Sequence, residues 1–356
     1  MGALKAAVKW VVKACYALLK KCPPMCILVV FALKIMVLGY AGYAGLKKRY
    51  GADCSILVCA YHGTGDYYIC GMYLRAWLEK HSVKNYVFLT PGGSEEKITE
   101  LFPVFKGRTH KVAFLPRFTY PTDRIKVFFG DVGMDMHFLN PLIATNGLSR
   151  IGLDSYLLGY NGLTMADHYL YVGLGLPEDT HRDMPEFSDD DEAVDSIFRE
   201  YGATPGRTVL LAPYSIGLKD IIPASFWDKL VKELAERGYS LLTNCADDEK
   251  PLDGTRGVLI PYNLMVPFLS KAGGFVGTRS GLCDVASGAS CKKVVIHTYE
   301  SLIWPFGNSV VFTGIRNMGL CDDVVEVEYG GEAYESIVND IGSFFKYSSY
   351  YTHSTN

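Results

Sequence analysis

The chain has 356 residues, 49% of them hydrophobic and 21% charged, with a formal net charge of −3. That composition supports buried cores and excludes a disordered protein, and the length suits two domains of ordinary size. With no overall basic field, nucleic acid is not an expected partner. Ten cysteines lie in apolar or helical stretches without a C-x-x-C pair. They read as reduced thiols in a reducing compartment rather than as disulfides or zinc ligands.

Residues 1–50 form an extension of different character. In "MGALKAAVKWVVKACYALLKK" the lysines Lys5, Lys9 and Lys13 recur every four residues among Leu4, Val8, Val11, Val12, Tyr16 and Leu19. This is a basic amphipathic helix suited to an anionic membrane surface. Residues 25–46, "MCILVVFALKIMVLGYAGYAGL", are long enough to span a bilayer, but Lys34 near the middle costs roughly 2.5–3.5 kcal/mol on insertion. A helix in the interface, a single span and a segment packed on the protein all remain open. A cleaved signal peptide fits poorly, because the apolar run starts late. The expected location is the cytoplasmic side of the membrane.

Strand and helix patterns then alternate. "CSILVCAYHGTGDYYICGMYLRAWLEKH" (54–81) begins with a strand at Ile56–Ala60, turns at glycines, and continues as a helix through Ile69, Tyr73, Leu74, Trp77 and Leu78. "KNYVFLTPGG" is a strand and "EEKITELFPVF" a helix ended by Pro103; "HKVAFLP" and "IKVFFGD" are further strands. An acidic, proline-bearing stretch at 176–192 reads as a solvated loop leading into the first turn of the next helix. It marks a domain boundary. Beyond it come "RTVLLAPYS" (strand), "PASFWDKLVKELAERG" (helix from Pro223 to Gly238), "YSLLTNC", "GVLIP", "NLMVPFLSKAG" (helix), "GFVGT", "SGLCDVASGAS" (helix), "KKVVIH" and a final amphipathic helix in "YESIVNDIGSFFKY". The predicted units are therefore 51–185, 186–330 and a C-terminal helix and tail at 331–356. Both central units are α/β with parallel sheets.

Three strand-to-helix corners carry polar residues suited to chemistry. The first is His62-Gly63-Thr64-Gly65-Asp66, which puts a carboxylate at the carboxyl edge of the first sheet, where open α/β folds bind ligands. Asp66 can be a helix cap or a general base, and His62 a loop or neighbouring residue. Tyr68 replaces the last glycine of the dinucleotide fingerprint, which argues against NAD. In the second corner, Ser215, Gly217 and Lys219 precede the Pro223 helix start and can converge on a phosphate. The third is Arg279-Ser280-Gly281-Leu282, where free helix amides and a guanidinium suit an anion. The plainer reading has Arg279 paired with Asp284 and Ser280 as a cap.

A strand followed by Gly65-Asp66, a P-x-S-x-x-x-K segment ending at Lys219, and the Ser280-Gly281-Leu282 corner together resemble the ADP-heptose:lipopolysaccharide heptosyltransferases. The resemblance covers 54–310, is strongest over 207–297, and is weak over 90–170. It implies the glycosyltransferase B fold, two Rossmann-like domains facing a central cleft, here with a membrane-associated N-terminal extension. It also implies an inverting, metal-independent transfer of sugar from a nucleotide sugar to a glycan or lipid-linked acceptor, without a cofactor. By position, Asp66 is the implied base, Ser215, Lys219, Arg279, Ser280, Gly281 and Leu282 the implied donor contacts, and His62 to Gly65 the acceptor side. The family's Asp and His at the last corner are replaced by Arg279 and Asp284, so the sugar need not be heptose. A nucleotide-sugar epimerase of the same fold, or a non-catalytic membrane-bound nucleotide-sugar-binding protein, are the alternatives.

Overall fold

The computed structural model describes residues 41–59, 63–112, 136–138, 163–215, 222–246, 248–298, 309–331 and 334–346. The expected amphipathic helix, most of the 25–46 run and the "IKVFFGD" strand lie outside them. Residues 41–50 are helical, and Leu46, with Tyr43 and Tyr50, packs beneath Ile56, Val58, Val87 and Leu89. The end of the N-terminal extension is thus part of the first domain's core. Among the described residues, no helix is long and apolar enough to cross a membrane.

The first half contains β1 (Ser55–Val58), α1 (Thr64–Lys80), β2 (Tyr86–Thr90), α2 (Ser94–Thr99), β3 (Thr109–Lys111) and β4 (Met136–Phe138). The four strands are parallel in the order β3-β2-β1-β4. The helix expected to be ended by Pro103 stops sooner: α2 ends at Thr99, and Pro103–Phe105 makes a separate tight turn, where proline can begin but not continue a helix. Burial along α1 runs without interruption from Tyr67 to Leu74, not on one stripe. A helix buried all round has protein on every side, and here the far side is the second half of the molecule.

That half contains α3 (Asp191–Tyr201), β5 (Thr208–Ala212), α4 (Ala224–Glu236), β6 (Ser240–Asn244), β7 (Arg256–Val258), α5 (Tyr262–Ala272), β8 (Gly273–Thr278), α6 (Gly281–Ala286), β9 (Lys292–Thr298), β10 (Val324–Tyr329) and α7 (Tyr334–Lys346). Its sheet is parallel, in the order β10-β9-β8-β5-β6-β7. β5 is buried throughout, as a parallel strand covered on both faces must be. One face packs on Phe226, Leu230, Ile341 and Phe345 of α4 and α7. The other merges with the first half through Phe268, Phe275 and Val285. The final helix stays on this half: the Tyr239 hydroxyl donates to the Phe345 carbonyl at 2.8 Å.

The acidic stretch before α3 is no free loop. The Asp183 amide donates to the Met72 carbonyl (2.8 Å), the Glu186 amide to Leu101 (2.7 Å) and the Ser188 amide to Asn263 (2.9 Å). Pro267 sits inside α5 and lacks the N–H that would bond Asn263, so the freed carbonyl receives Ser188 instead. Arg182 reaches the Met318 and Gly319 carbonyls at 2.9 and 3.0 Å and lies over the Tyr73 ring. The segment is a strap over both halves.

Two glycines set how closely the halves meet. A Cβ on Gly65 would lie 2.6 Å from Asp284 Oδ2, and one on Gly281 would run into Thr64 Oγ1 and the Gly65 amide nitrogen. Backbone cannot yield as a long side chain can. Gly281→Ala is therefore expected to cost about 1–3 kcal/mol by overpacking, read as a lower urea midpoint with an unchanged slope. An unaltered midpoint would show that this seam does not hold the folded state together.

Candidate functional site

β1 lies between β2 and β4, and β5 lies between β6 and β8. These are the points where chain order reverses in each sheet, and open α/β folds bind ligands in the crevice at the carboxyl ends there. The chain leaves β1 toward Gly63–Asp66, leaves β5 toward Pro213-Tyr214-Ser215, and leaves β8 toward Arg279–Leu282. Thr278 Oγ1 donates to the Pro213 carbonyl at 3.0 Å, tying the β5 and β8 exits together. Ser215 is partly exposed beyond that tie. His62, Gly217 and Lys219 lie outside the described residues.

Gly63 occupies the cap of α1 and Asp66 stands in its first turn. Asp66 stays partly exposed, while its Oδ1 accepts a 2.6 Å hydrogen bond from the Tyr169 hydroxyl. Burial raises its pKa from 3.8 to about 6; the Tyr169 hydrogen bond and the Arg279 charge pull it down, and Asp284 pushes it further up. Tyr169 is 1% exposed. It rides on a short helix, Met165–Asp167, that runs into a π-helical turn over His168–Gly173. Thr164 and Asp167 fix the start reciprocally, with the Thr164 amide donating to Asp167 Oδ2 at 2.8 Å. Next to it, His168 is buried against Phe312, and burial lowers its pKa to about 4.

Opposite Asp66, Arg279 is 7% exposed and Asp284 fully buried, with 2.8 Å between Nη2 and Oδ1. Arg279 Nε donates to the Thr313 carbonyl at 2.6 Å, and Nη1 to the Ser280 carbonyl. The guanidinium is thus committed to its own corner. Ser280 makes no side-chain cap bond, Gly281 abuts Thr64 and Gly65, and Leu282 is buried. Asp284 is likewise raised to about 6 by burial, against the pull of Arg279. Glu326 supports the segment that supplies Thr313: it accepts from His297 and from the Ile315 amide, both at 2.8 Å.

The structure thus brings Asp66, Gly63, Thr64 and Gly65 against Arg279, Ser280, Gly281 and Leu282, across the seam between halves. Sequence reasoning missed Tyr169, which no periodic pattern marks, and gave Asp284 no role beyond pairing with Arg279 and standing at the position of the family's histidine. Among the described residues, no cluster of His, Cys, Asp or Glu is placed to hold a metal ion.

Two carboxyls with folded pKa values above 3.8 bind protons more tightly when folded, so their contribution to stability is full below about pH 4 and is lost as pH rises through about 6. Asp66→Asn removes one of them. The variant's stability relative to the parent should rise between pH 4 and 6 and level off at about 3 kcal/mol, measured by urea unfolding across pH. A flat difference would place Asp66 in an ordinary aqueous environment.

No family model and no curated protein matches the chain. Solved structures do. The ADP-heptose lipopolysaccharide heptosyltransferase II of E. coli aligns with a TM-score of 0.52 at 12% identity, covering 82% of this chain and 98% of its own. A glycosyl transferase family 9 structure from Veillonella parvula aligns with a TM-score of 0.49 at 10% identity, covering 82% and 97%. At such low identity the likeness to heptosyltransferase II concerns fold, and the α/β expectation with two parallel sheets holds: the chain shares that enzyme's architecture.

Proposed function

We propose that the protein is an inverting glycosyltransferase that moves a sugar from a nucleotide diphosphate sugar to a glycan or lipid-linked acceptor in bacterial surface polysaccharide synthesis. One observation carries this reading: the ligand-binding reversal points of two parallel sheets meet, with Asp66 on one side and the Arg279–Leu282 corner on the other. In the reaction, the acceptor hydroxyl oxygen bonds to the anomeric carbon as the bond from that carbon to the diphosphate breaks. The hydroxyl proton passes to Asp66, and the nucleoside diphosphate leaves. A carboxylate with a pKa near 6 stays mostly ionised at neutral pH and is more basic than an ordinary aspartate.

Ser215, Lys219 and the amides of Ser280, Gly281 and Leu282 are assigned to the diphosphate, whose growing charge they stabilise without a metal. Arg279, turned to Asp284 and two carbonyls, is assigned to hold the corner rather than to touch the donor. His62, Gly63, Thr64 and Gly65 face the acceptor. Because Gly281 rests on Thr64 and Gly65, the halves must part to admit the donor and close again around it. The basic N-terminus places the enzyme at the cytoplasmic face of a membrane, where lipid-linked acceptors reside. A same-fold epimerase would want several carboxylates open to substrate, and Asp284 is sealed from solvent.

Purified protein screened against a panel of nucleotide sugars should gain thermal stability with a selective donor. With that donor, Asp66→Asn should lose at least about 100-fold in transfer while retaining donor binding. Unchanged transfer would remove Asp66 from the chemistry, and a panel without any binder would remove the reading itself.

A further inference from the structure

We infer that Tyr169 is the positioning residue for Asp66, its hydroxyl holding the carboxylate in place and setting how readily it takes a proton. The inference rests on the glycosyltransferase reading only in calling that proton the acceptor's; the clamp itself stands on geometry. The hydroxyl lies 2.6 Å from Asp66 Oδ1, the length of a charge-assisted bond to a carboxylate oxygen. Tyr169 is buried and its own pKa is driven well above 10 by that burial, so the oxygen keeps its hydrogen and acts as donor. Its backbone is fixed as well: the Leu174 amide donates to the Tyr169 carbonyl at 2.8 Å, inside a π-helical turn, a local form that is rare and recurs at functional sites.

Other groups also face the carboxylate. From the second half come Asp284, which repels it, and Arg279, which attracts it. From α1 itself come Tyr67 and Cys70, both raised by burial and neutral. Cys59, beyond β1, has its sulfur 3.6 Å from the Tyr169 oxygen. The Tyr169 hydroxyl holds the carboxylate by a side-chain hydrogen bond, and the backbone of Asp66 itself adds a weaker one. A bond to the ionised form stabilises that form, so Tyr169 opposes the burial that lifts Asp66. Without the hydroxyl the carboxyl would hold its proton to higher pH and turn more freely.

The test follows the Asp66 carboxyl by carbon-13 NMR in the full-length protein, parent against Tyr169→Phe, alongside the acid limb of kcat/KM for transfer. A hydrogen bond to a charged group predicts that the midpoint rises by about one pH unit or more in the variant, and that the acid limb moves with it. An unmoved carboxyl midpoint overturns the inference. A moved midpoint with a fixed acid limb upholds the clamp and overturns Asp66 as the base. Should Tyr169→Phe not fold, 3-fluorotyrosine introduced at 169 makes the hydroxyl a stronger donor and must move the midpoint down; no downward movement overturns the inference.

Discussion

The arrangement depends on two helix starts coming into close contact. α1 and α6 each begin at a sheet's carboxyl edge, and each presents unbonded amides and the positive end of its dipole. Bringing such ends together without compensation is unfavourable. Asp66 and Asp284, each in the first turn of its helix, supply negative charge to both ends, and glycine at 65 and 281 supplies the room. Two carboxylates so placed repel one another. Arg279 answers on one side with its charge, and Tyr169 answers on the other with a hydrogen bond.

This division of labour leaves the two acids unlike each other. Asp284 has no exposure and is held by a guanidinium that is itself bound to two carbonyls. It belongs to the scaffold. Asp66 keeps some exposure and is held by neutral donors, so it can exchange a proton without dismantling the seam. Environments that separate similar groups in this way are how one fold assigns them different tasks.

Much of this was legible in the residues. Buried parallel strands are short apolar runs between turn signals; β2, β5 and β6 lie within the stretches read that way, and β8 and β9 each exceed theirs by one residue. α4 lies between Pro223 and Gly238, the residues that mark its ends. Asp66 and the 279–282 corner stood out because glycines at a strand end leave few purposes other than close approach. What those glycines approach was not legible. Gly281 meets backbone 216 positions earlier in the chain, a distance at which pattern carries no information. The strap reads as a loop in sequence because its charges look solvated, whereas Arg182 and Asp183 find partners in the folded chain and backbone amides, which every sequence has, add the rest. Tyr169 was hidden for the same reason: one buried tyrosine among many gains its meaning only from the carboxylate it touches.

The proline in α5 shows how a local flaw becomes an architectural joint. By interrupting the helix's own ladder, Pro267 leaves an acceptor facing outward, and the peptide chain passing from one lobe to the other plugs into it. The strap's amides bind Met72 and Leu101 of the first half and Asn263 of the second, so the halves are tied together at a place separate from the glycine seam.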